Sequence, residues 1–243
     1  MDVVFPVLLG LLGLCIPILI VAGIVYFILK LRGGTSIRFS YRGALRVYFY
    51  VVFLLSVGLL GVGGVSTLLK VGFGEIIDRE FSYGEVYEEH RSIEIRKEEC
   101  KLRGDDYCPD YSTDSDYSDR PLSEKVELAM QTSLINGASL GIIGLFLVLV
   151  HFYGRRWVEI EGAPADLLRR LYLMAGLIAF AVVTITSLAS AIPKTLEYAL
   201  LDLNAGEVSP GDPLSIAIVA LPVWLFYLIA TVRNMRDASN GKV

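Results

Sequence analysis

The chain has 243 residues, 54% of them hydrophobic, a formal net charge of −4 and a mean hydropathy of +0.56. Soluble domains of this size do not carry that balance, and the apolar residues come in blocks rather than in alternation, so the chain belongs to the membrane class. The basic residues are few, flank the apolar blocks and follow the positive-inside rule, so no nucleic-acid partner is expected.

Five runs lack any Asp, Glu, Lys or Arg: Val3–Leu29, Val47–Leu69, Leu128–Gly154, Leu171–Pro193 and Pro213–Val232, each of at least 20 residues. A helix rises about 1.5 Å per residue, so roughly 20 residues cross a hydrocarbon core of about 30 Å. The runs lack the polar alternation of a barrel strand. The expected fold is therefore all-α and integral to the membrane, with five transmembrane helices and the lipid bilayer as first partner.

The first run lies in an N-terminal anchor, residues 1–32. No basic residue precedes it, which argues against a cleaved signal peptide and for an N-terminus outside. Lys30, Arg32, Arg38, Arg42 and Arg46 follow it without an acid between them. Arg155, Arg156, Arg169 and Arg170 lie between the third and fourth runs, and Arg233, Arg236 and Lys242 close the chain. With five crossings all three clusters share one side, and the positive-inside rule makes that side cytoplasmic. The expectation is a multi-pass protein of the plasma (cytoplasmic) membrane with its C-terminus in the cytoplasm.

The second and fourth runs open alike. "RGALRVYFYVV" spans Arg42–Val52, and "DLLRRLYLMAG" begins at Asp166. An offset of 124 residues aligns Arg46 with Arg170, Tyr48 with Tyr172, Ser66 with Ser190 and Lys70 with Lys194. Each opening is followed by an outer segment, a second crossing and a basic, aromatic inner flank: "HFYGRRW" at His151–Trp157 and "FYLIATVRNMR" at Phe226–Arg236. Pro121 and Pro213 suit the starts of the second crossings, and Asp212 is a candidate N-cap. The chain reads as one helix plus two parallel-repeat hairpins: 42–157, carrying an insert at 71–131, and 165–236, before a tail at 237–243. Arg46, Tyr48, Arg170, Tyr172, His151 and Trp157 are expected at the inner membrane interface.

The Arg-x-Tyr-x-Tyr opening (Arg46, Tyr48, Tyr50), with a second helix ending in "VHFYGRR", resembles a bacterial membrane domain of unknown function that occurs in tandem two-helix copies. The resemblance covers about two thirds of the chain. In the second copy Met174 replaces the second tyrosine, and Tyr227 sits roughly where His151 does. That family has no assigned activity, so the resemblance implies architecture and a bacterial origin.

The insert is acidic. Between Val71 and Gln131 there are 17 acidic and eight basic residues, which makes a small extracytoplasmic cap of formal charge about −9. Sixty-odd residues suffice for an ordered cap and are marginal for an independent core. Gly84–Gly104 reads as a helix, with Val86, Ile93 and Cys100 recurring every seven residues and Gly104 as its stop. "SIEIR" within it also alternates like a strand; helix is preferred. Cys100 and Cys108 face the oxidising side, so a disulfide between them is expected. Asp110, Asp114, Asp116 and Asp119 are candidate calcium ligands. Read as an EF-hand loop from Asp114, however, the segment has Asp119 where glycine is required and Lys125 where the closing glutamate belongs. A solvated loop, or a docking surface for a basic partner, fits the same residues. No other cofactor is expected.

Within the apolar runs His151 is the one ionisable residue, which speaks against ion-coupled transport. Small residues are plentiful. Gly137, Gly141 and Gly144 share one face of the third run, Gly61 and Gly64 lie in the second, and Ala175 and Ala179 in the fourth. Such stripes let backbones approach. Asn136, Thr186, Ser187 and Ser190 are expected to bond between helices and to floor a small cavity under the cap. No nucleophile–base pair, metal set or phosphate loop is legible, and "GVGGVS" lies inside an apolar run without a preceding strand. The leading expectation is a non-enzymatic scaffold or accessory subunit that binds another membrane protein, or itself, through the acidic cap and the small-residue faces. An oligomeric channel or small-solute transporter comes second, and an envelope sensor binding a cation or peptide third.

Overall fold

The computed structural model describes residues 41–103, 120–160, 166–201 and 207–240. The chain divides into Met1–Tyr41 and Arg42–Val243, and the structure described below is that of the second unit. The described residues are almost entirely helical and contain no strand. Four helical spans are long and apolar enough to cross a membrane. The expected fifth, Val3–Leu29, lies outside the described residues.

Helix α1 runs through Tyr41–Gly58, a π-helical segment Leu59–Val65 and Ser66–Ile76. Asp78 then starts α2, Arg79–Arg103, by accepting a hydrogen bond from the Glu80 amide at 3.3 Å. The helix preferred for Gly84–Gly104 is therefore present and begins earlier. Its backbone bends at Tyr83 (φ −125°, ψ 27°). Helix α3, Leu122–Ile160, begins directly after Pro121, as the proline suggests. Helix α4, Asp166–Leu200, continues through Pro193, and α5 spans Gly211–Asn240. The inserted segment is thus shorter than residues 71–131, because α1 and α3 both extend into it. Apolar content marks where lipid lies, whereas a helix ends where its backbone bonds end.

α1 and α3 form one antiparallel pair, α4 and α5 the other, and α1 also packs along α5. The first pair is joined backbone to backbone. A Cβ added at Gly64 would lie 2.6 Å from the Gly141 Cα, and one at Gly144 would lie 2.7 Å from the Leu60 Cα. Gly137 packs on Leu68, and Gly61 faces Val219 of α5. The glycines singled out in the sequence therefore pack within the bundle. The alanine stripe of α4 is displaced: Ala175 is half-buried and Ala179 exposed. The buried line runs instead through Leu173, Gly176, Phe180, Thr184, Ser187 and Ala191. Gly176 carries the contact, since a Cβ there would meet the Tyr227 ring at 2.3 Å. An alanine stripe cannot accept an aromatic ring at that distance; a glycine can.

The basic ends of all four spans gather at one end of the bundle. Tyr50 and Tyr172 lie with ring centroids 4.8 Å apart, and the Arg155 guanidinium sits 4.6 Å and 5.5 Å from their centroids. The Tyr172 and Tyr227 hydroxyls share a 2.6 Å hydrogen bond, and Tyr227 stacks on Phe180. Tyr48 reaches His151 at 3.5 Å. His151 donates from Nδ1 to the Leu147 carbonyl at 2.8 Å, because a carbonyl only accepts. Tyr48, Trp157 and Arg170 are exposed and Arg46 is half-buried. Tyr172 and His151 are buried, because each faces a partner helix with a hydrogen-bonding group.

A Gly64→Ala substitution should force α1 and α3 apart at a cost of about 1–3 kcal/mol, in the range of overpacked cores. Gly58→Ala, which meets nothing within 4 Å, should leave stability unchanged or raised. Thermal unfolding of the two variants in detergent checks the difference.

Candidate functional site

At the opposite end, α2 folds back onto the ends of the spans. Phe81, 4% exposed, lies edge-on between Phe73 of α1 and Tyr198 of α4 at 6.0 and 5.2 Å. The Ser82 hydroxyl donates to the Lys70 carbonyl at 2.9 Å, and that of Ser209 to the Phe81 carbonyl at 3.3 Å. Gly211 lets the start of α5 close on this turn, since a Cβ there would lie 2.6 Å from the Ser82 Oγ. Tyr83, Val86 and Val126 form a small core beneath α2. This base of the cap therefore packs on the helix ends.

Beside it opens a cavity of about 200 Å³ lined by Lys70, Glu85, Glu88, Lys194, Glu207, Ser209, Asp212 and Pro213. Each span other than α3 contributes a charged group, and α2 adds two. The Lys70 ammonium is the structural centre. It lies 3.4 Å from Glu85 and 3.5 Å from Asp212, and 5.3 Å from the Tyr83 ring centroid. Only 12% of its side chain is exposed, so the long stem packs while the charge joins α2 and α5. Glu207 pairs with Arg91 at 3.6 Å. Lys194 and Glu88 are exposed, and neither has an ion-pair partner among the described residues.

Sequence reasoning saw Lys70 and Lys194 only as matching ends of two hairpins and Asp212 only as a cap. It missed Glu85, Glu88 and Glu207. The signal available was a lone lysine closing each of two apolar runs, opposite an acidic insert. None of Asn136, Thr186, Ser187 and Ser190, expected to floor a cavity under the cap, lines this one. Thr186 and Ser187 donate to the Val182 and Val183 carbonyls of their own helix at 2.8 and 2.7 Å, the local bond that competes with contacts between helices. Among the described residues no three His, Cys, Asp or Glu gather as metal ligands. Asp110, Asp114, Asp116, Asp119 and Cys108 lie outside the described residues; Cys100 sits half-buried near the end of α2. No family model, curated protein or solved structure matches the chain.

Lys70→Ala should strand Glu85 and Asp212 near each other and loosen the cap. The cost should be about 1 kcal/mol, scaled for partners that are mostly exposed. It should appear as faster hydrogen exchange at the starts of α2 and α5. Burial raises the Tyr83 phenol above the ordinary tyrosine value of 10.0. The neutral form is favoured in the fold, so the associated stability is fully present below about pH 10 and is lost as pH rises through the folded value. Melting from pH 8 to 11 should show a steeper alkaline loss for the native chain than for Tyr83→Phe.

Proposed function

We propose that this chain is a non-enzymatic integral membrane scaffold, an accessory or assembly subunit that holds a partner membrane protein. The observation that carries this reading is the side of α3 that no other described helix covers. Its glycine face is consumed by α1. About half a turn away, Thr132, Asn136 and Ser139 are exposed within an otherwise apolar span, and Asn136 has no hydrogen-bond partner among the described residues. A carboxamide facing hydrocarbon is costly, so such a face is built to meet another helix. The small-residue faces themselves are no longer the proposed docking surface, since they pack internally. The acidic α2 supplies the second contact, toward a basic partner.

In this reading the cap is extracytoplasmic, the arginine-rich end cytoplasmic, and Val3–Leu29 the first of five crossings, with the N-terminus outside in a bacterial plasma membrane. A Cys100–Cys108 disulfide belongs to it, supported by the disulfide bond at Cys100. So does descent from a duplicated hairpin. Tyr48 meets His151 as Tyr172 meets Tyr227, and the paired lysines line one cavity. A second reading, an envelope sensor, draws on that cavity.

Mild-detergent extraction from the native membrane followed by native mass spectrometry tests the scaffold. The expected result is a heteromer that Asn136→Leu dissociates while the chain stays folded. A lone species near 26.8 kDa, with every membrane complex intact after deletion, would sink the idea.

A further inference from the structure

We infer that the cavity between α1, α2, α4 and the start of α5 is a binding site for a small zwitterion of the amino-acid class. Its charges are unevenly used. Lys70 is shared by Glu85 and Asp212, and Glu207 is held by Arg91. What remains is one ammonium, Lys194 on α4, and one carboxylate, Glu88 on α2, both exposed and without an ion-pair partner among the described residues. They line the same cavity and do not reach each other within 4 Å. A ligand carrying both a carboxylate and an ammonium satisfies the two at once. An anion alone would face Glu88, and a cation alone would face Lys194.

Size narrows the class further. About 200 Å³ is below the roughly 300–1,000 Å³ of pockets for drug-sized ligands, which leaves room for a small amino acid rather than a folded peptide. Glu207 is offset by Arg91, while Glu85 and Asp212 share the single charge of Lys70, so the walls keep a net negative charge that draws the ammonium end of the ligand. Lys194 is the cation left for its carboxylate, and Glu88 adds to the acids around its ammonium. Since these residues take no part in the α3 face, the site stands independently of the scaffold function.

The test is isothermal titration of the full-length chain in detergent with glycine, β-alanine and γ-aminobutyrate, which span increasing charge separation, and with acetate and methylammonium. At least one zwitterion should bind more tightly than either single-charge probe by tenfold or more. Lys194→Gln and Glu88→Gln should each weaken that binding at least tenfold, while the melting temperature holds. The double reversal Lys194→Glu with Glu88→Lys should restore part of it, a result that loss of folding cannot mimic. No heat with any zwitterion, or equal binding of acetate or methylammonium, overturns the proposal. So does binding that survives both single substitutions.

Discussion

The close approach of α1 and α3 is the constraint on which the bundle rests. Inside a bilayer, lipid tails compete with apolar side chains on equal terms, so helices associate through van der Waals contact and a few polar bonds. Gly64 against Gly141, and Leu60 against Gly144, bring backbone onto backbone. The π-helical turns of Leu59–Val65 lie at this crossing. They hold three of the glycines of α1 and let Gly61 face α5 while Gly64 faces α3. One short segment therefore ties both pairs, and the positions of Tyr50 at one end and Lys70 at the other follow from it.

Among the described residues, the polar bonds between helices lie at the two ends. Along the spans, the Ser56, Thr67, Thr195 and Thr231 hydroxyls each donate to a carbonyl four residues back. That local solution satisfies the hydroxyl without specifying a neighbour. Neighbours are specified by groups that cannot bond to their own turn: the Tyr172 and Tyr227 phenols, the Arg155 guanidinium over its two rings, and Lys70 between two acids. Glycine packing thus fixes the middle of the bundle, and these polar groups fix its two ends.

The four apolar spans, the helix after Gly84 and the glycines of the first pair were legible because each depends on local sequence: length, period, or a residue without a side chain. The α4 stripe was misplaced because Ala175 and Ala179 look equivalent to Gly176 in small-residue spacing. They differ only once Tyr227 is known to press on that turn. Tyr172 and His151 carry interfacial residue types, yet they are buried because of what stands opposite them. The cavity was the least legible feature. Its walls come from positions 70, 85, 88, 194, 207, 209, 212 and 213, which only the return of α2 and the turn before α5 bring together.

The two lysines at the ends of α1 and α4 occupy matching places in their hairpins and have opposite fates. Lys70 is covered because α1 ends six residues after it, at Ile76, and α2, starting at Arg79, folds back over it. Lys194 is exposed, and no described helix folds back over it. The acidic α2 thus makes Lys70 a clamp and leaves Lys194 open in the cavity that also holds Glu88. Asymmetry of this kind needs no change in either lysine. Without α2 the Lys70–Asp212 pair would remain, but Glu85 and Glu88, and with them one wall of the cavity, would be lost.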